Sequence, residues 1–241
     1  MTAQSERRSP NFGPRATGAA IDMIVLHYTG MPEAETALAW LCDPQSQVSS
    51  HYFVFEDGRV IQLVEESERA WHAGVSFWAG ETDVNSRSIG IEIVNPGHEF
   101  GYREFPHAQI DAIIALCRDI VARRRIPAER VLAHSDVAPG RKQDPGELFP
   151  WERLAAEGIG AWVRPAPITP GHVLQLGDEG PEVRSLRAQL RRLGYQAADS
   201  DAFDAALETI VAAFQRHFRP IRVDGVADRS TVVTLERLLK D

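Results

Sequence analysis

Ile89-Gly90-Ile91-Glu92-Ile93-Val94 puts three isoleucines on one side of an extended chain and Gly90, Glu92 and Val94 on the other. The stretch reads as a sheet strand with one apolar face, and a single carboxylate stands on the opposite face. Upstream, Met23-Ile-Val-Leu-His27 is a short apolar run, a buried strand ended by Thr29-Gly30-Met31-Pro32. His27 thus falls at a strand's C-terminal end, the edge of mixed α/β sheets where ligands gather. Arg130 to His134 gives a last short strand that closes on a second histidine. Between these, 33–42 reads as a helix, and His51 to Phe55 with Val60 to Leu63 as a hairpin around Asp57-Gly58. In 107–123, Ile110, Ile113, Ile114, Leu116, Cys117, Ile120 and Val121 recur at helical spacing, which predicts a long amphipathic helix against the sheet. The expected fold class is α/β, a mixed central sheet flanked by helices, over residues 21–160.

Residues 1–20, with Pro10, Gly13, Pro14 and Gly18, read as an irregular lead-in. Residues 161–173 carry Pro165, Pro167, Pro170 and Gly171 and read as a stiff linker. Beyond it the texture changes. Residues 174–241 read as a small all-α three-helix domain, with helices over 179–193, 205–217 and 228–239. Asp204 and Asp228 stand as N-caps, and Leu186, Leu190, Leu193, Ile210, Phe214, Val233, Leu235 and Leu238 as its core.

With 44% hydrophobic and 25% charged residues among 241, the chain has the composition of a globular protein rather than a disordered one. A formal net charge of -8 leaves no global positive field for nucleic acid, so none is expected as a partner. Arg123-Arg124-Arg125 and Arg191-Arg192 end predicted helices, where they complement the helix dipole. Cys42 and Cys117 lie on predicted helices and read as free thiols. No run reaches the length of a membrane span, and the first twenty residues lack the apolar centre of a leader. The expectation is a cytoplasmic monomer as written, or a periplasmic or envelope protein if a leader is missing.

Of the eight histidines, two, His27 and His134, close buried-strand candidates, so their imidazoles can meet at one sheet edge. Asp144 follows His134 by ten residues, across a stretch 135–143 that reads as an irregular loop folding back over the same edge. Two imidazoles and a carboxylate suit Zn²⁺ and leave a fourth position to water. The spacing by itself is no contiguous signature.

Five stretches carry more. Ile24-Val-Leu-His-Tyr-Thr29, Ser50-His-Tyr-Phe-Val54, Ala70-Trp-His-Ala-Gly74, Asn85-Ser-Arg-Ser-Ile-Gly-Ile-Glu-Ile-Val-Asn95 and Ala133-His-Ser-Asp-Val-Ala-Pro-Gly-Arg-Lys-Gln-Asp-Pro-Gly146 make residues 21–150 resemble the zinc N-acetylmuramoyl-L-alanine amidases. That family includes the bacterial AmpD and AmiD amidases and is related to animal peptidoglycan recognition proteins. The resemblance implies one Zn²⁺ on His27, His134 and Asp144, Glu92 as catalytic carboxylate and Lys142 beside the developing oxyanion. It implies hydrolysis of the amide between N-acetylmuramic acid, or its 1,6-anhydro form, and L-alanine, with peptidoglycan or muropeptides as partner. Leu176-Gly-Asp-Glu-Gly-Pro-Glu-Val183, Leu190-Arg-Arg-Leu-Gly-Tyr195, Ala213-Phe-Gln-Arg216 and Val223-Asp-Gly225 are similar to the three-helix peptidoglycan-binding domain of wall hydrolases. Two departures stand out: Asp201-Ala-Phe-Asp204 lacks the usual glycine before the second helix, and His217-Phe-Arg-Pro-Ile-Arg222 resembles an insertion.

Four further residues are read as substrate contacts: His51 and His72, each also readable as orienting a ligand or packing, Trp71, and Asn85, which reads as readily as the anchor of a turn before the Glu92 strand. Trp71, Phe77 and Trp78 offer an aromatic wall as readily as local packing. His98, His107, His172 and His217 default to surface or capping roles. Ser135 beside His134 lacks the surroundings of a serine nucleophile. Two rival functions remain, a noncatalytic peptidoglycan sensor, which would have a broken ligand set, and a zinc peptidase cutting within the stem peptide.

Overall fold

The computed structural model describes residues 7–240. Its elements begin with β1 (Phe12–Pro14), β2 (Met23–Tyr28), α1 (Ala34–Leu41), β3 (Tyr52–Val54), β4 (Val60–Gln62), β5 (Glu68–Ala70), α2 (Val84–Arg87) and β6 (Ser88–Ile93). There follow α3 (His107–Arg124), a 3-10 turn (Ala128–Arg130), β7 (Val131–Ala133), α4 (His134–Val137) and α5 (Trp151–Ala156). The C-terminal part holds β8 (Val173–Leu174), α6 (Pro181–Leu193), α7 (Ala205–Phe218), β9 (Ala227–Asp228) and α8 (Arg229–Leu238).

The main sheet has the order β4-β3-β6-β2-β7, with β3, β6, β2 and β7 parallel and β4 antiparallel at the edge. Period-two alternation divides its side chains between two faces. Ile24 and Leu26 of β2, Ile89, Ile91 and Ile93 of β6 and Val131 of β7 pack on Ile110, Ile113, Cys117 and Ile120 of α3, with Trp151 and Leu154 of α5. Phe53 of β3 joins Leu38 and Leu41 of α1. Met23 and Val25 of β2 and Leu132 of β7 enter a third cluster, which continues through Trp78 and Val137 into Leu190, Tyr195, Leu207, Ile210, Val211 and Phe214. The C-terminal helices therefore share a core with the sheet.

The structure departs from the sequence expectations in four places. The lead-in is not wholly irregular: β1 pairs antiparallel with β5, and Arg15 donates to the carbonyls of Glu66, Asn85, Ser86 and Ser88. The loop after β7 opens with the one-turn helix α4, so His134 begins a helix rather than ending a strand. Asp136 makes this turn possible by accepting the Ala133 N–H at 2.8 Å. The Pro-rich linker is strapped to α8, where Ala166 N–H donates to Thr234 Oγ1 and Ser230 Oγ to the Ala166 carbonyl. Lastly, β8 and β9 add a short antiparallel pair to the three C-terminal helices. The Asp204 and Asp228 caps are formed, on the N–H groups of Leu207 and Thr231.

Arg123 and Arg124 do more than complement a dipole. Both grip the buried Glu66, which also accepts the Tyr52 hydroxyl, tying the end of α3 to the hairpin side of the sheet. Burial opposes ionisation of Glu66, but these three partners outweigh it and hold its carboxyl down at about 2. A depressed carboxyl stabilises the fold above its unfolded value and ceases to do so as pH falls through the folded one. Glu66→Gln is therefore expected to lower the unfolding temperature at pH 7 by an amount equivalent to about 1–2 kcal/mol. The gap to wild type should narrow between pH 5 and 2 in thermal melts.

Candidate metal centre

Register sets the site. His27 on β2 pairs with Glu92 on β6, so the two side chains stand on neighbouring strands and the same sheet face. Leu26 pairs with Ala133, which places His134 just beyond β7 at the same edge. Asp144 returns to that edge because its own carbonyl accepts the Ser135 N–H at 3.0 Å.

His27, His134 and Asp144 are all buried. His27 Nδ1 and His134 Nδ1 lie 2.8 Å apart, and Asp144 Oδ2 is 3.1 Å from the first and 2.9 Å from the second. A tetrahedral centre with bonds of about 2.0 Å sets its ligands about 3.3 Å apart, so this triangle fits a cation of zinc's size and preference. Burial and the neighbouring His134 push the His27 imidazole down to about 4, while Asp144 pulls the other way. Burial opposes the Asp144 charge, yet His134 and His27 hold its carboxyl well below the usual range. His27 is thus biased toward neutral imidazole and Asp144 toward carboxylate, the forms that bind metal.

The outer nitrogens determine the tautomers. With Nδ1 of His134 turned to the triangle, its Nε2–H donates to the Ala73 carbonyl at 3.1 Å. His27 Nε2–H donates to His72 Nδ1 at 3.0 Å, His72 Nε2–H to Ser88 Oγ at 3.1 Å, and the Ser88 hydroxyl to the Val84 carbonyl. Every proton in this chain has one direction to go, and it leaves His27 Nδ1 with a free lone pair. Gly90 makes the arrangement possible, since a Cβ there would stand 2.4 Å from the His72 ring.

Glu92 faces the same cleft, a cavity of about 400 Å³ that is also lined by His27, His134, Asp144 and Lys142. Its Oε2 is buried and has no hydrogen-bond partner among the described residues. Burial first, then the Asp144 charge, push its carboxyl well above the usual range, with Lys142 opposing. An unpaired carboxyl beside a metal site is suited to receive and return a proton.

The residues read as substrate contacts separate. Trp71 and His72 line the cleft. His51 does not: it is fully buried, accepting the Gly90 N–H at Nδ1 and donating from Nε2 to the Glu68 carbonyl. Asn85 is likewise buried away from the cleft, and its Oδ1 accepts the N–H groups of His72 and Ala73. It braces the outer partners of both histidine ligands. Trp78 packs on Tyr195 and forms no cleft wall, and Ser135 is too buried to act as a nucleophile. Sequence reasoning missed Tyr28, Trp40 and His98, which line the cleft; His98 stacks on Tyr102 and meets the Tyr28 hydroxyl. Tyr28 directly follows a ligand in a quoted motif, which was a usable signal; Asn95-Pro96-Gly97-His98 carries none.

Residues 17–147 match the family described as N-acetylmuramoyl-L-alanine amidase. The chain belongs to this family. Residues 179–235 match a second family, described as "Putative peptidoglycan binding domain". N-acetylmuramoyl-L-alanine amidase AmiD of Escherichia coli is 41% identical over 236 residues, covering 91% of this chain and 83% of the relative. The solved complex of that AmiD with the substrate anhydro-N-acetylmuramic acid-L-Ala-D-gamma-Glu-L-Lys is similar with a TM-score of 0.78 at 40% identity, over 94% of this chain and 92% of that one. AmpDh3 of Pseudomonas aeruginosa is similar with a TM-score of 0.74 at 31% identity, over 100% and 97%. The matches to AmiD and AmpDh3 span both parts of this amidase chain.

His72→Ala should leave all three ligands in place but free the His27 ring. Zinc affinity, measured by competition with a chromophoric chelator, is expected to fall about 10- to 100-fold.

Proposed function

We propose that this amidase cleaves the bond between the lactyl group of N-acetylmuramic acid, or its 1,6-anhydro form, and the L-alanine of the stem peptide, using one Zn²⁺. The observation that carries the reading is the triangle of His27 Nδ1, His134 Nδ1 and Asp144 Oδ2, set in one cleft with Glu92, whose Oε2 has no partner among the described residues. Zinc there supplies Lewis acidity, which polarises a carbonyl and acidifies water.

The chain's own groups do the rest. His27, His134 and Asp144 would hold the ion at the wall of the cleft. Glu92 takes the proton of the attacking water and returns it to the leaving L-alanine nitrogen; its raised pKa suits it to both steps. Lys142 lies at the cleft to offer an N–H to the carbonyl oxygen as it gains charge. Trp71, Trp40 and Tyr28 offer apolar surface to sugar or peptide. The C-terminal domain favours a substrate within reach of polymeric wall, and the anhydro-muramyl peptide bound to AmiD favours a muropeptide; both present the same bond.

A sensor is disfavoured by the complete ligand set. Mass analysis of digested peptidoglycan separates the remaining readings: free glycan and stems beginning with L-alanine are expected, whereas stems cut internally and still attached to muramic acid would indicate a peptidase. Glu92→Gln should keep stoichiometric zinc and lose about 10²- to 10⁴-fold in kcat. Asp144→Ala should lose both zinc and turnover, read by metal analysis beside the activity assay.

A further inference from the structure

Asp136 is fully buried two residues beyond the ligand His134, and its hydrogen bonds join four segments. Oδ2 accepts the N–H of Ala133, the last residue of β7, and the Nδ1–H of His217 in α7 at 2.6 Å. Oδ1 accepts the hydroxyl of Tyr195, just past α6, at 2.6 Å. The two C-terminal partners are themselves held from the catalytic side. His217 stacks on Trp151 with ring centroids 3.7 Å apart, and Tyr195 packs edge-on to Trp78 at 5.0 Å. A carboxylate taken wholly out of water is expensive unless its acceptor sites are filled. Here two of its three partners come from the C-terminal domain.

The same domain runs along the rest of the ligand loop. At Gly140 (φ +76°) a Cβ would stand 3.1 Å from Thr209 of α7, so helix and loop are in close approach. Glu147, three residues past Asp144, forms an ion pair at 3.6 Å with Arg216 of α7. The segment 134–147 carries two of the three ligands and is thereby held between the sheet edge and α7.

We propose that the C-terminal domain is a positioning element of the metal centre, acting through Tyr195 and His217 on Asp136 to hold α4 and with it His134. The proposal rests on the metal reading above for the role of His134. It goes beyond wall attachment, because it makes the domain matter for a substrate too small to need attachment. Tyr195 and His217 are positioning residues and touch no reacting group.

The test uses the full-length zinc-loaded protein. Tyr195→Phe keeps the ring on Trp78 and removes one bond to Asp136. His217→Phe keeps the stack on Trp151 and removes the other, while His217→Asn restores an N–H at the place of Nδ1. At a temperature where all variants remain folded by circular dichroism, zinc transfer to a chelator should be about tenfold faster in Tyr195→Phe and His217→Phe than in wild type, and near wild type in His217→Asn. On a soluble muramyl tripeptide, kcat should fall with KM unchanged in the first two. Wild-type rates of zinc transfer and kcat in both Phe variants would overturn the proposal and leave the metal reading standing. Faster zinc transfer in His217→Asn beside a wild-type rate in His217→Phe would also overturn it, by tracing the effect to ring packing rather than to the bond to Asp136. Absence of zinc binding by wild type would overturn the metal reading, and the proposal with it.

Discussion

Two imidazole nitrogens and a carboxylate oxygen meet within about 3 Å of one another in a buried corner of the sheet. Without a cation between them their lone pairs repel and their lost hydration goes uncompensated. A protein keeps such a triangle only if the surroundings force it. Here β2 supplies one ligand from a strand end and the 134–147 loop supplies two. The outer nitrogens are tied to Ala73 and to the His72-Ser88 chain, so that neither ring can turn away.

That requirement explains several otherwise unrelated features. Gly90 is bare because the His72 ring lies on it. Asn85 is buried because its oxygen holds the N–H groups of both residues that brace the ligand histidines. Glu92 shares the face of His27, and its unpartnered oxygen is tolerable because it borders a cleft rather than a packed core. Met23 and Val25 of β2 and Leu132 of β7, on the face opposite α3, pack with the C-terminal helices, so a domain that resembles a wall-binding module also completes the core.

The legible parts of the sequence were those set by local periodicity. Strict alternation in 89–94 isolated Glu92, helical spacing in 107–123 located α3, and Asp204 and Asp228 marked two helix starts. The metal set was legible as a weak pattern of strand ends and a returning loop, and became specific through the family motifs. What escaped depends on distant contacts. His51 and His72 carry the same reading from sequence, yet one is sealed by the Gly90 N–H and the other touches His27. Asp136, which caps the α4 turn, is buried with partners 59 and 81 residues away. The order in residues 12–15 comes from Arg15 meeting carbonyls some 50 to 70 positions later. No periodicity in a single segment encodes such meetings.

One ion is expected within this particular triangle. X-ray diffraction from zinc-loaded crystals, recorded on both sides of the zinc absorption edge, measures this directly. A single anomalous peak bonded to His27 Nδ1, His134 Nδ1 and Asp144 Oδ2 at about 2.0–2.2 Å is expected. An ion bound through the Nε2 atoms or at other residues, or an empty triangle at saturating zinc, would contradict it.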